Sequence, residues 1–281
     1  MKRPEGAEGH RNPANDLQHL RTGKYHAREL FLILKENAQI PMADKISQDE
    51  MIFVRRHKTH NHQPITEFPD KNLEDWLKYW LKIFDRAYFF NAVQRAYKGF
   101  HLVSEQNDEE FLARQKQGGD ISVGWWNSQN RKIYLVFQDY AATGQEPISI
   151  ILGTLLHEML HAFLELYSCN GLHCAEFIAS QEGLGELGHG AVWANSICKL
   201  HEVFIRDLGI VLDCSIDCGL EQEIRHGCMY RDDQLKRWGH EELIPVKQAV
   251  SQEIIQKYGT HGKRFWWLRL PFRYNYIWGA H

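Results

Sequence analysis

Apolar residues recur with the three-to-four-residue period of a helix along three long stretches of this chain. The pattern predicts an amphipathic helix from residue 72 to about 97. It also predicts a largely apolar helix over 147–167, which begins with proline, a residue common at the first helical position. A third helix is predicted over 191–208, where Gly209 follows as the residue type that most often ends a helix.

Alternating apolar and polar residues indicate a different element, upstream of the most apolar helix. Residues 121–126 and 132–137 have the pattern of strands, and the polar residues 127–130 between them predict the turn of a β-hairpin. Shorter apolar stretches predict a helix or strand over 25–37 and a helix over 244–259. Long helices combined with one small sheet predict a fold of the α+β class.

Two polar segments have no clear period. Residues 41–70, which contain three prolines, are predicted to be irregular, and their basic cluster at 55–62 is interpreted as a solvated loop rather than a phosphate site. Glycines interrupt residues 168–188, which predicts irregular chain there as well. We therefore divide the chain into a disordered N-terminus (1–24), an N-terminal extension (25–71), a central domain (72–210) and a C-terminal extension (211–281).

Composition argues against several classes of protein. The 281-residue chain has a formal net charge of −3, which provides no overall attraction to nucleic acid. The N-terminus lacks the apolar segment of a secretory signal, and the most apolar run, 148–156, is too short to span a bilayer. Six cysteines without such a signal indicate reduced thiols. We expect an intracellular protein, nuclear or cytoplasmic, without a membrane partner; the oligomeric state is not indicated.

Candidate chemistry lies in the apolar helix, at "TLLHEMLHAF". His157 and His161 are four residues apart, so in a helix they share one face and can hold one metal ion. Glu158 lies between them, where a carboxylate is positioned to act on a water molecule at the metal. Its neighbours are apolar, which argues against an ordinary surface glutamate.

A catalytic zinc ion needs a third protein ligand. The downstream candidates are His173, Glu182, Glu186, His189 and His201. The glycines around the two glutamates argue against a glutamate ligand on a regular helix. The sequence "GHGAVW" favours His189, because glycines on both sides let the backbone bring an imidazole close to a metal. The other candidates remain open at this point.

Together, "TLLHEMLHAF" and "GHGAVW" resemble the SprT-like metallopeptidases, which include the Spartan-type DNA–protein crosslink proteases. The preceding helix and hairpin occur in the same order, so the resemblance covers about residues 72–208. It implies a zincin-like domain in which Zn²⁺ is bound by His157, His161 and His189, with Glu158 as the catalytic residue. It further implies hydrolysis of peptide bonds in protein or peptide substrates, with DNA-associated or crosslinked proteins and DNA itself as candidate partners.

The chain departs from that family in several respects. The segment between His161 and His189 is longer than expected, and neither a four-cysteine zinc ribbon nor a ubiquitin- or clamp-binding motif follows. The pattern formed by Cys214, Cys218, His226 and Cys228 is compatible with a second zinc site, but buried free thiols are the favoured interpretation. Cys169, His173 and Cys174 raise the same question and receive the same interpretation.

The C-terminal tail "KRFWWLRLPFRYNYIW" interleaves arginines with aromatic residues, a pattern found in proteins that bind single-stranded nucleic acid. Candidate contacts are Arg264, Trp266, Trp267, Arg269 and Arg273, but a strand packed on the domain explains the pattern equally well. Trp125 and Trp126 are likewise either sheet core or exposed stacking surfaces. The acidic segment 165–224 would repel DNA if it flanks the cleft.

Three hypotheses follow from these features. The first is a zinc endopeptidase of SprT-like type. The second is a zinc-binding protein of the same fold that has lost activity and acts as an interaction module. The third is a nucleic-acid-binding protein whose His-Glu-x-x-His sequence is incidental. Bound metal separates the third hypothesis from the other two.

Overall fold

The computed structural model describes residues 20–58, 70–104, 123–137, 147–169 and 171–258. Within these ranges it contains ten α-helices and three strands. In chain order they are α1 (Ala27–Asn37), α2 (Gln48–Lys58), α3 (Asp70–Tyr88), α4 (Ala92–Ala96), β1 (Gly99–Ser104), β2 (Gly124–Asn127), β3 (Lys132–Phe137), α5 (Pro147–Tyr167), α6 (Leu172–Ala179), α7 (Ala191–Leu208), α8 (Ile216–Arg225), α9 (Asp232–Trp238) and α10 (Leu243–Tyr258).

The described part of the chain is mostly helical with one three-stranded sheet, which confirms the predicted α+β class. Helices α5 and α7 lie where their apolar periods predicted them. Gly209 ends α7 in the left-handed conformation, with φ of 65°, and its N–H donates to the Ile205 carbonyl at 2.7 Å. The 25–37 segment is helical, and the helix predicted over 244–259 spans Leu243–Tyr258.

The first long helix is shorter than its period predicted. It ends at Tyr88, and Phe90 and Asn91 adopt positive φ angles of 61° and 56°. The buried carboxylate of Asp85 then accepts the N–H groups of Val93 and Gln94 at 2.9 and 2.8 Å, which starts the separate helix α4. The predicted extension to residue 97 is therefore wrong, because a turn interrupts a continuous apolar pattern.

Two segments predicted as irregular contain helices. Ser47 and Glu50 form a reciprocal cap at the start of α2, with the Ser47 N–H donating to the Glu50 carboxylate at 2.8 Å and the Glu50 N–H donating to the Ser47 hydroxyl at 3.3 Å. Arg55 and Arg56 consequently lie exposed on a helix rather than in a loop. The short helix α6 likewise forms inside the segment 168–188.

The sheet has the strand order β1-β3-β2, with β1 parallel and β2 antiparallel to β3. The predicted hairpin is confirmed, whereas β1 was not foreseen. Trp125 is buried and stacks on Tyr134 at a centroid distance of 4.7 Å, so it belongs to the sheet core. Trp126 is only partly buried and extends toward α5.

Helix α5 lies at the centre of the fold, between α3, α7 and the sheet. Its segment Ile148–Tyr167 is the one helix among the described residues that is long and apolar enough to cross a membrane. However, 78% of its most apolar window is buried inside the protein. Burial in a folded interior therefore accounts for its composition.

The described part of the C-terminal extension packs on the same core. Leu220, Ile224, Tyr230 and Leu235, from α8, α9 and the loop between them, join one hydrophobic cluster with residues of α3, α5 and α7. Residues 259–281, which include the aromatic tail, lie outside the described residues, as do Gly259 and most of the predicted disordered N-terminus.

Candidate metal centre

Three imidazole rings converge where α5 meets the segment before α7. The Nε2 atoms of His157 and His161 are 3.0 Å apart, and those atoms lie 3.1 and 3.2 Å, respectively, from Nε2 of His189. Helical geometry explains the first pair, because residues four apart on α5 lie one above the other. Among the described residues, this is the one group of three or more His, Cys, Asp or Glu side chains close enough to hold a metal ion.

The protonation state of the rings suits metal binding. Nδ1 of His157 lies 2.9 Å from the carbonyl oxygen of Cys214. Since a carbonyl can only accept, Nδ1 carries the proton and Nε2 presents its lone pair to the other two rings. Burial lowers the pKa of His157 to about 4, and it lowers the pKa values of His161 and His189 well below their usual range. Neutral rings are the ligand form of histidine.

The separations of the three nitrogens also fit a metal. Three nitrogen ligands at about 2.0–2.1 Å from a tetrahedral zinc ion lie about 3.3 Å from one another. The observed separations of 3.0–3.2 Å are close to that value. Hydrogen bonds cannot satisfy all three pairs of rings, because each neutral ring nitrogen is either a donor or an acceptor and at least one pair therefore joins two of the same kind. A shared cation satisfies all three Nε2 lone pairs at once.

Glu158 lies beside this triangle. Its Oε1 atom is 3.9 Å from Nε2 of His157, and its side chain is buried against the cleft floor. It faces the same cavity as the three histidines. The carboxylate is therefore close to the ligand triangle without belonging to it.

The segment that carries His189 has no regular structure and is held by hydrogen bonds from the C-terminal extension. Oε1 of Glu223, on α8, accepts the N–H groups of Leu187 and His189 at 2.7 and 3.0 Å. The hydroxyl of Tyr230 donates to the carbonyl oxygen of His189 at 2.7 Å. Burial raises the pKa of Glu223 to about 7, although the backbone N–H groups act in the opposite direction.

Trp193 forms the back wall of the site. It follows His189 by four residues on α7, and it is completely buried. Its ring stacks on His161 at a centroid distance of 5.7 Å and meets His157 and His189 edge-on at 4.9 and 4.6 Å. One rigid aromatic side chain therefore contacts all three candidate ligands and limits the orientations that their rings can take.

A close backbone approach places the Cys214 carbonyl. Ser149, Gly153 and His157 lie at four-residue intervals along α5, and residues 211–214 run across this face. The Ser149 hydroxyl donates to the Val211 carbonyl at 2.7 Å and accepts the Asp213 N–H at 3.0 Å. A Cβ atom on Gly153 would overlap the Asp213 carbonyl, so only glycine lets this segment reach His157.

The histidine triangle opens into a cleft of about 710 Å³. Residues 123–129 form one wall, and the other sides come from the segment 184–189 and the first part of α8. The floor is one face of α5, made of Thr154, His157, Glu158, His161, Leu164 and Glu165. A volume of this size is within the range of ligand-binding pockets.

The other candidate third ligands do not join the triangle. Glu182, Glu186 and His201 are described but lie outside the metal-binding group, and the side chain of His173 is outside the described residues. His201 instead lines a separate cavity behind residues 212–216.

The structure does not bring the proposed second zinc ligands together as a metal-binding group. Cys214 is buried, and burial raises the pKa values of both Cys214 and Cys228, as expected for thiols in apolar surroundings. Nδ1 of His226 pairs with the Gln222 carbonyl at 2.9 Å, and Cys218 is exposed at the cleft. The tail residues Arg264, Trp266, Trp267, Arg269 and Arg273 lie outside the described residues.

Sequence reasoning missed the groups that support the ligands. The Cys214 carbonyl and the Tyr230 hydroxyl leave no signal in a sequence pattern. Glu223 does leave one, because Leu220, Glu223 and Ile224 have the spacing of a buried helix face, on which a charged residue needs partners. That combination could have identified Glu223 as a structural carboxylate.

No protein-family model, curated protein sequence or solved structure matches the chain. The fold and the site together define a class: a mostly helical α+β protein with a three-histidine group that could hold a metal ion.

Proposed function

We propose that this protein is a zinc-dependent endopeptidase of SprT-like type that hydrolyses peptide bonds in protein or peptide substrates. The observation that carries the proposal is the triangle of Nε2 atoms, 3.0–3.2 Å on each side, with the Glu158 carboxylate beside it in an open cleft. The resemblance of residues 72–208 to SprT-like metallopeptidases predicts the same ligands and the same carboxylate.

Zinc is the metal that this donor set favours. Three neutral imidazole ligands with an open fourth position are typical of catalytic zinc, whereas structural zinc sites are closed by four protein ligands. The triangle lies open to the cleft on one side, so water or a substrate could reach a metal ion held by the three histidines. Zinc held by His157, His161 and His189 would act as a Lewis acid, lowering the pKa of water to about 7 and polarising a carbonyl group.

Glu158 moves the proton in the proposed reaction. Its Oε1 atom takes a proton from the attacking water as the oxygen adds to the scissile carbonyl carbon. The same oxygen then delivers that proton to the amine nitrogen as the carbon–nitrogen bond breaks. The carboxylate ends the cycle as it began, so one buried acid serves both proton transfers.

The shape of the cleft is consistent with an extended peptide. Among the described strands, β2 lies at the edge of the sheet, and residues 123–129 line the wall above α5. An edge strand can pair with an added peptide strand through main-chain hydrogen bonds. This pairing would hold a substrate along the cleft with little dependence on its sequence.

Metal content tests the ligand set. The purified chain is expected to hold about one zinc ion, because three protein ligands form a single site. His189→Ala should lose this zinc or bind it much more weakly. Zinc retained in His189→Ala would contradict the three-histidine site, and protein prepared without chelator that holds no zinc would contradict the function itself.

Glu158→Gln separates an enzyme from an inactive metal-binding module. It should keep the zinc but reduce hydrolysis of an unfolded protein substrate by about 10²–10⁴-fold, the usual contribution of general acid–base catalysis. Equal activity in wild type and variant would exclude the proposed role of Glu158. DNA as a candidate partner and the C-terminal tail as a candidate nucleic-acid contact stay predictions.

A further inference from the structure

The two ends of the cleft differ in chemistry. Strand β2 runs beside α5, so that Gly124 is against Thr154, where an added Cβ would lie 2.6 Å from the threonine methyl. At the other end, Nε1 of Trp126 donates to the Glu165 carboxylate at 2.8 Å. His157, Glu158 and His161 lie between these ends. Glu165 therefore lies at the end of the cleft beyond His161.

The described lining of the cleft is acidic. Its charged lining residues are Glu158 and Glu165, and no lysine or arginine occurs among the described lining residues. The hydrogen bonds to Glu165 come from the Trp126 indole and the Ser128 hydroxyl, both neutral. Burial raises the pKa of Glu165 to about 7, although the two hydrogen bonds act in the opposite direction.

We propose that Glu165 forms a subsite that binds a lysine or arginine side chain of the peptide substrate. The inference rests on the proposed peptidase function. A cationic side chain would pair with the Glu165 carboxylate, whose described hydrogen-bond donors are neutral. The partly exposed ring of Trp126 offers a flat surface on which a guanidinium group can stack. The surrounding segment 165–224, with ten acidic and two basic residues, also favours a cationic ligand.

Helix geometry limits where the basic residue lies in the substrate. Glu165 is one helical turn beyond His161, about 6 Å along the axis of α5. An extended peptide advances about 3.3 Å per residue. The lysine or arginine therefore lies within about two residues of the scissile bond, on the side of the cleft formed by Trp126 and Ser128.

Peptide binding tests this subsite without relying on catalysis. The probes are fluorescent alanine-rich hexapeptides in which one arginine, or its neutral analogue citrulline, is moved through the six positions. Binding is measured by anisotropy to the zinc-treated full-length Glu158→Gln chain. At one or two positions arginine should bind about tenfold more tightly than citrulline, the order expected for a hydrogen bond between charged groups.

Variants of Glu165 identify the group responsible. In Glu158→Gln/Glu165→Gln the preference for arginine should disappear, whereas Glu165→Asp, which keeps the charge, should retain part of it. Glu241→Gln removes an exposed carboxylate that is not in the cleft lining and serves as the matched control. Equal binding of arginine and citrulline at every position, or a preference that survives Glu165→Gln, would overturn the proposal.

Hydrolysis by the wild-type chain is scored separately, so that the two proposals can fail independently. Binding that discriminates arginine from citrulline, without any hydrolysis by wild type, would support the subsite and contradict the peptidase. Hydrolysis with no such discrimination in binding or in cleavage positions would support the peptidase and contradict the subsite.

Discussion

The two halves of the metal centre are built in different ways. His157, Glu158 and His161 lie on one continuous helix, where the helical repeat sets their spacing. His189 lies in irregular chain, and its backbone is held by Glu223 and Tyr230, which are 34 and 41 residues away in sequence. The geometry of the first half is set by local helix structure, whereas the position of His189 depends on where the C-terminal extension packs.

The same contrast appears in how each ring is oriented. The His157 ring is oriented directly, through Nδ1 and the Cys214 carbonyl. Nδ1 of His189 is buried with no hydrogen-bond partner among the described residues. The position of this residue is set instead by its own main-chain N–H and carbonyl groups, which are hydrogen-bonded to Glu223 and Tyr230. We therefore expect substitutions that disturb backbone packing to affect metal binding more than their distance from the metal suggests.

The largest effect is expected from Gly153→Ala, which tests the support of the helical half. The added methyl group overlaps the Asp213 carbonyl, so residues 213–214 must move away from α5. We expect the free energy of unfolding to fall by about 3 kcal/mol, as in overpacked cores. Zinc affinity should fall about 10- to 100-fold, because His157 loses the acceptor for its Nδ1 proton. Chemical denaturation and competition with a zinc chelator measure the two quantities.

Gly171→Ala is the matched control for that change. Gly171 has an ordinary φ of −63°, and an added Cβ would lie 3.4 Å from the Cys169 sulfur, which is normal contact. Its stability and zinc affinity should stay close to those of wild type. If Gly153→Ala behaved like Gly171→Ala, the close approach of the 213–214 segment to α5 would be wrong.

A smaller effect is expected from Glu223→Ala, which tests the tertiary half. The variant leaves the N–H groups of Leu187 and His189 without their buried acceptor. Stability should fall by about 2 kcal/mol and zinc affinity by about tenfold. Glu223→Gln retains an acceptor oxygen and should preserve most of the zinc affinity in the chelator competition. Equal losses in the two variants would show that the charge, not the acceptor, holds the loop.

The smallest effect is expected from Tyr230→Phe. The change removes one hydroxyl and leaves the His189 carbonyl without its 2.7 Å donor, while the packing of the ring on Trp238 is retained. Thermal or chemical unfolding should report a loss of about 1 kcal/mol, the usual size of one buried hydrogen bond. An unchanged unfolding free energy, with zinc affinity also unchanged, would mean that Tyr230 does not hold the His189 backbone.

Elements set by local sequence patterns were predictable, whereas elements that depend on contacts between distant residues were not. The helices at 147–167 and 191–208 and the hairpin were predictable, because their patterns and end residues are local. Strand β1 was missed because a single short strand has little local pattern. Its parallel partner β3 is also distant in sequence, since Gly99 pairs with Lys132, 33 residues later. The end of α3 at Tyr88 was also missed, because it depends on where the Asp85 side chain finds its donors.

For the site itself, the sequence alone determined that His157, Glu158 and His161 share one region of a buried helix. That conclusion needs only the helical repeat and the apolar residues around the motif. Only the tertiary structure decided that His189, rather than Glu182, Glu186 or His201, completes the group. His161 and His189 are 28 residues apart in sequence. Hydrogen bonds between the His189 backbone and the side chains of Glu223 and Tyr230 hold the second histidine in place. Such long-range contacts form through packing of the whole chain, so no local pattern specifies them.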